Sequence, residues 1–122
     1  MKKLFSTIHF GLSIVVMIGL IVEFFFAGMG VFHATSFQIH RVTGVILLAG
    51  SLLLLLISLI GRTGGKTIGW SVLLLALLFI QPLLLQIHQP FVQAFHLVNG
   101  LAIIATSTCL VRFGAARAKG TI

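Results

Sequence analysis

Two copies of one short motif contain the residue types most capable of chemistry. His40 is followed four residues later by Gly44. The same pair recurs 56 residues further along the chain as His96 and Gly100. Positions i and i+4 share one face of a helix, so each imidazole has a glycine one turn below it, which leaves space beside the ring. Two facing imidazoles can fill both axial positions of a haem iron, which then transfers electrons and has no open position for a gas. The pattern predicts one bis-histidine haem site.

Other polar residues near the motif could complete such a site. Arg41 is placed to pair with a haem propionate. The second ring nitrogen of each ligand histidine needs an acceptor, for which Thr43, Asn99 or a backbone carbonyl are candidates. His33 and His88 are expected in or near the outer loops, where they would contact propionates or a partner, or hold a second haem or an outer-face metal ion.

Few other chemistries are open to this sequence. Glu23 is the only acidic residue against eight Lys or Arg residues, and Cys109 is the only cysteine. These counts exclude paired-carboxylate catalysis, an intrachain disulfide and a Cys-x-x-Cys site. Glu23 is expected to pair with Arg41, with proton transfer as the alternative. Segment 61–67 ends in Gly-Lys-Thr, but Ile60 stands where a phosphate loop requires glycine.

The composition places these residues in a membrane protein. Of 122 residues, 59% are apolar and 7% are charged, against about 25% charged residues in a soluble domain. We expect a single all-α domain over residues 1–122, a polytopic membrane protein that forms a four-transmembrane-helix bundle. The first apolar stretch exceeds a signal-peptide core, so it is interpreted as a retained helix. Four stretches are long enough to cross a bilayer core of about 30 Å: about Leu4–Phe26, Val42–Ile60, Ile68–Ile87 and Phe91–Val111.

The repeat also predicts how the helices are arranged. Ser51 and Ser107 recur at the offset of the histidines, about three helical turns below them. Helices 2 and 4 would therefore each carry a stripe of His, Gly and Ser that faces the bundle interior. Two repeated helical hairpins, about 4–60 and 68–111, are expected around a pseudo-two-fold axis along the membrane normal.

Local signals predict where two helices begin and where one bends. Thr35 and Gln38 form a capping-box signature before helix 2, and Pro90 suits the first turn of helix 4. Pro82 is expected to bend helix 3, with Gln81 close enough to satisfy backbone groups that the proline frees.

The basic residues are distributed unevenly between the two ends of an alternating topology. Only Arg41 lies on one side, and seven basic residues lie on the other: Lys2, Lys3, Arg62, Lys66, Arg112, Arg117 and Lys119. The positive-inside rule then puts both termini in the cytoplasm, in a bacterial-type inner membrane. Because topology accounts for the net charge of +7, we expect membrane lipid and no nucleic acid as a partner.

The segments around the two histidines resemble the haem A synthase family. That family has two four-helix halves with histidines at the outer ends of the second and fourth helix of each half, and this chain is similar to one half over nearly its full length. The resemblance rests on His40-Arg41 and on segment 95–100, FHLVNG, and implies His40 and His96 as axial ligands of a b-type haem. Phe37 stands where the catalytic half has a glutamate tied to hydroxylation. The chain also looks like small four-helix bacterial membrane proteins with a glycine-rich end to helix 1, here 27–30, a resemblance that supplies no activity.

These observations favour a small integral membrane b-type cytochrome, an electron-transfer or haem-binding accessory subunit rather than a haem-modifying enzyme. A cofactor-free structural or assembly subunit of a larger membrane complex is the alternative. A transporter is disfavoured because so small a bundle has little interior for a path. Because the chain is half the size of the synthase, we expect a homo-oligomer or a subunit of a larger complex.

Overall fold

A computed structural model describes residues 1–119 as four α-helices joined by short loops. The helices are α1 (Lys2–Val31), α2 (Gln38–Ile60), α3 (Gly65–Gln86) and α4 (Pro90–Ala118). Each is long and apolar enough to span a membrane, and no strand occurs in the described part of the chain. The expected all-α, four-transmembrane-helix class is confirmed, and the protein is a multi-pass membrane protein.

Each helix packs against two neighbours. α1 contacts α2 and α4, and α3 contacts the same two helices, so the four form a ring. Short connections make consecutive helices antiparallel. Loops 32–37 and 87–89 lie at one end, which we call the histidine end. The start of α1, loop 61–64 and the end of α4 lie at the opposite end, which we call the basic end.

Apolar and small hydroxyl side chains share the interior, while many large apolar side chains are exposed on the outer surface, where lipid would contact them. Ser51 and Ser107 are fully buried, as the inward-facing stripe predicts. The Ser51 hydroxyl donates to the Leu48 carbonyl oxygen at 2.7 Å, so it is satisfied within its own helix. The apolar core consists of Val16, Leu20, Leu47, Leu54, Leu74, Leu78, Ile103 and Leu110.

The predicted start of α4 is confirmed, and the predicted cap of α2 is wrong. Pro90 occupies the first turn of α4. α2 begins at Gln38 with Phe37 at its N-cap position, and Phe37 makes no side-chain cap; the Gln38 N–H instead donates to Oγ of Ser36 at 3.4 Å. Thr35 still belongs to the turn that ends α1, where its N–H donates to the Met29 carbonyl oxygen at 3.4 Å. It therefore lies too early to cap the next helix.

Candidate functional site

His40 of α2 and His96 of α4 face each other across the bundle near the histidine end. Their ring centroids are 6.3 Å apart, and the ring planes are inclined at 72°. A metal between two imidazoles, at the usual metal–nitrogen distance of about 2.0 Å, puts the ring centres about 6 Å apart. The fold thus brings the predicted ligand pair together at a spacing that suits an iron between the two rings.

Hydrogen bonds to α3 orient His96. Its Nδ1 donates to the Gln81 carbonyl oxygen at 3.0 Å, which requires the tautomer with the proton on Nδ1. In return, Nε2 of Gln81 donates to the His96 carbonyl oxygen at 3.0 Å. The Asn99 amide donates to the Leu77 carbonyl oxygen at 2.9 Å and also to Oε1 of Gln81. These bonds converge on the turn of α3 beside Pro82, where a backbone N–H is missing. With Nδ1 engaged, Nε2 of His96 is left for a ligand.

A carboxylate from α1 contacts His40. Oε1 of Glu23 lies 2.9 Å from Nδ1 of His40, and the two side chains are 12% and 20% exposed respectively. The contact is close but too poorly directed to be a hydrogen bond, and Nδ1 of His40 and Oε2 of Glu23 are both buried without a hydrogen-bond partner among residues 1–119. The expected pairing of Glu23 with Arg41 is therefore wrong. Arg41 lies about 100° further around α2 than His40, and its side chain is exposed.

A cavity of about 360 Å³ opens beside the two histidines. Most of its wall is apolar and comes from all four helices, a composition typical of sites for small molecules and cofactors. Its polar lining consists of Glu23, His40, Arg41, Gln81 and His96. The two histidines are the candidate ligands, Glu23 and Gln81 lie beside them, and Arg41 is the one cation of this lining.

Gly44 and Gly100 line the cavity, but their nearest neighbours are side chains of α1. A Cβ on Gly44 would lie 3.2 Å from Oε1 of Glu23, and a Cβ on Gly100 would lie 3.0 Å from Cζ of Phe24. Gly44 therefore makes room for the carboxylate that contacts His40. The sequence pattern predicted open space beside the imidazole and did not predict this role.

The remaining candidate residues lie apart from the histidine pair. The Thr43 hydroxyl donates to the Ile39 carbonyl oxygen of its own helix at 2.9 Å. His33 and His88 are exposed in the two loops of the histidine end, away from the cavity wall. Within residues 1–119, no group of three or more His, Cys, Asp or Glu side chains could hold a metal ion. The facing pair with its cavity is the candidate site.

Comparison with known proteins gives a family but no activity. A family model described as "Family of unknown function (DUF6220)" matches residues 23–87, slightly more than half of the chain. The chain belongs to this family. The segment that matches the family includes Glu23, His40 and Gln81, whereas His96 lies beyond it. No curated protein and no solved structure matches the chain.

Proposed function

We propose that the protein is a small integral membrane b-type cytochrome in which His40 and His96 are the axial ligands of one haem b. It would serve as an electron-transfer or haem-binding accessory subunit. The observation that carries the proposal is the pair of imidazoles 6.3 Å apart, each with Nδ1 held near an acceptor. With its Nδ1 engaged, His96 would bind iron through Nε2, and His40 would supply the second Nε2. The resemblance of the segments around these same histidines to one half of the haem A synthase family agrees with the proposal.

The chain's own residues would bind and orient the group. A bound haem supplies one-electron redox chemistry, and an iron with two imidazole ligands has no open position for oxygen. The Gln81 carbonyl accepts a hydrogen bond from Nδ1 of His96, and the Glu23 carboxylate lies 2.9 Å from Nδ1 of His40; both would act as outer partners of metal-bound histidines. The apolar wall excludes water, and Arg41 offers a guanidinium to a propionate at the cavity rim.

The orientation in the membrane belongs to the same proposal. Seven of the eight Lys and Arg residues lie at the basic end, so the positive-inside rule places that end and both termini in the cytoplasm. The histidine end would then face outward from a bacterial-type inner membrane. We also propose that the protein pairs with itself or joins a larger complex, which would cover part of its exposed apolar surface.

A structural or assembly subunit of a larger membrane complex is the second candidate. One observation favours it: the hydrogen bonds of Gln81 with His96 and Asn99 join α3 to α4 without any cofactor. Polar contacts between membrane helices contribute modestly to their association, so histidine, glutamine and asparagine here could serve packing alone.

Absorption spectroscopy of the purified protein separates the two candidates. The wild type should show the sharp bands of low-spin b-type haem, and His40→Ala or His96→Ala should lose haem or turn high-spin because one axial imidazole is gone. His88→Ala is the matched control, since His88 is exposed outside the cavity. Folded wild-type protein that binds no haem would favour the structural candidate.

A further inference from the structure

A second pocket, of about 340 Å³, lies at the basic end between the start of α1 and the end of α4. It collects positive charge, because four of the residues that line it are Lys or Arg. The only acidic side chain of the sequence, Glu23, contacts His40 near the other end of the bundle. No acidic side chain therefore lies at this pocket. Its lining residues are Lys2, Lys3, Ser6, Arg117, Ala118 and Lys119.

Arg117, which lines this pocket, also contacts the loop between α2 and α3. Its guanidinium packs directly on Gly64, where an added Cβ would lie 2.9 Å from Cζ of Arg117 and closer still to one of the Nη atoms. Gly64 also has a φ of +108°, which strongly favours glycine. Nε of Arg117 is buried without a hydrogen-bond partner among residues 1–119. A buried unpaired donor on a charged group is costly, so this atom calls for an acceptor.

Two helix N-termini add to the positive potential. Lys2 and Lys3 lie in the first turn of α1, and Gly64, against which Arg117 packs, is the N-cap residue of α3. Neither helix has an acidic residue in its first turn or a capping side chain. Cations at helix N-termini are unfavourable, whereas the free N–H groups there bind anions. The positive-inside rule explains why basic residues lie at this end, but it does not explain the buried, unpaired Nε.

We propose that this pocket binds a phosphate group, supplied by the headgroup of an anionic lipid or by free phosphate, with Arg117 as the central donor. A guanidinium binds phosphate through two parallel hydrogen bonds, Lys2, Lys3 and Lys119 add charge, and Ser6 adds a hydroxyl. Basic pockets between membrane helices on the cytoplasmic side suit lipid headgroups. The site is independent of haem binding.

Thermal unfolding of the full-length protein in neutral detergent tests this site. Trp70, the only tryptophan, stacks on Phe113 with ring centroids 6.3 Å apart, so its fluorescence reports unfolding between α3 and α4. Phosphatidylglycerol, phosphatidylcholine and inorganic phosphate are titrated separately at constant ionic strength. We expect phosphatidylglycerol or phosphate, but not phosphatidylcholine, to raise Tm. A response to inorganic phosphate identifies a free-anion site, and a response to phosphatidylglycerol alone identifies a lipid headgroup site.

Two variants and a matched control decide whether the pocket is responsible. Arg117→Gln should weaken the apparent affinity by about tenfold or more, as expected for the loss of a charge-assisted hydrogen bond. Arg117→Lys leaves the net charge unchanged but loses the planar pair of donors, so it should also weaken binding and remains informative if Arg117→Gln does not fold. Arg112→Gln removes one charge from an exposed position on α4 outside the pocket and should change the affinity less than twofold. Equal effects of the Arg117 and Arg112 variants, or no rise of Tm with either anion, would overturn the proposal.

Discussion

Replacing Glu23 with alanine should weaken haem binding and raise the reduction potential. Oε1 of Glu23 lies 2.9 Å from Nδ1 of His40, the ring nitrogen that would face away from a bound iron. Loss of such an outer partner typically costs 10–100-fold in metal affinity, or about 1.4–2.8 kcal/mol. A carboxylate beside the imidazole makes it a stronger electron donor to ferric iron. Removal of the carboxylate should therefore weaken binding of ferric haem more than binding of ferrous haem. Each tenfold difference between the two oxidation states raises the midpoint potential by about 59 mV.

Haem transfer to an excess of apomyoglobin and a potentiometric titration measure these two effects. Glu23→Gln keeps the side-chain size and a neutral acceptor, so its haem affinity and midpoint potential should both lie between those of the wild type and of Glu23→Ala. His88→Ala is the control, because His88 is exposed outside the cavity. An unchanged affinity and potential in folded Glu23→Ala would refute the reasoning, as would an equal shift in His88→Ala.

Three further outcomes are expected. On a background without Cys109, a membrane-impermeant thiol reagent applied from outside should label a cysteine at Ala34 but not one at Gly64; the reverse pattern would contradict the proposed orientation. Gly100→Leu should reduce the haem content of the purified protein, because a Cβ there already lies 3.0 Å from a ring carbon of α1 and the larger side chain fills the cavity. Mass spectrometry of extracted haem should find unmodified haem b, since Phe37 replaces the glutamate of the resembling catalytic half; hydroxylated or formylated haem made by the purified protein would instead indicate an enzyme.

The number and class of the helices could be predicted because hydropathy along one chain reports them directly. Their ends were less predictable. α1 continues to Val31 and α4 to Ala118, well past the apolar stretches that end near Phe26 and Val111. Hydropathy measures the part of a helix that lipid surrounds, whereas the backbone hydrogen bonds that define a helix continue through polar turns.

The pairing of side chains across the bundle was only partly predictable. The repeat indicated that His40 and His96 would face each other, because equivalent positions on helices of like direction lie at similar depth. The roles of Glu23 and Gln81 depend on how each helix is rotated about its own axis, which the packing of all four helices decides. Asn99 illustrates the limit: it was a candidate acceptor for a ring nitrogen, yet its amide donates to α3.

The axial ligation of the iron is the central claim, and electron paramagnetic resonance of the ferric protein tests it most directly. The imidazole planes of His40 and His96 are inclined at 72°, and near-perpendicular imidazoles give a strongly anisotropic low-spin signal rather than the ordinary rhombic one. We expect that signal from one haem per chain in the wild type, and its loss in His40→Ala and in His96→Ala. A high-spin signal in the wild type, or a low-spin signal that survives both substitutions, would contradict the assignment of these two histidines as ligands.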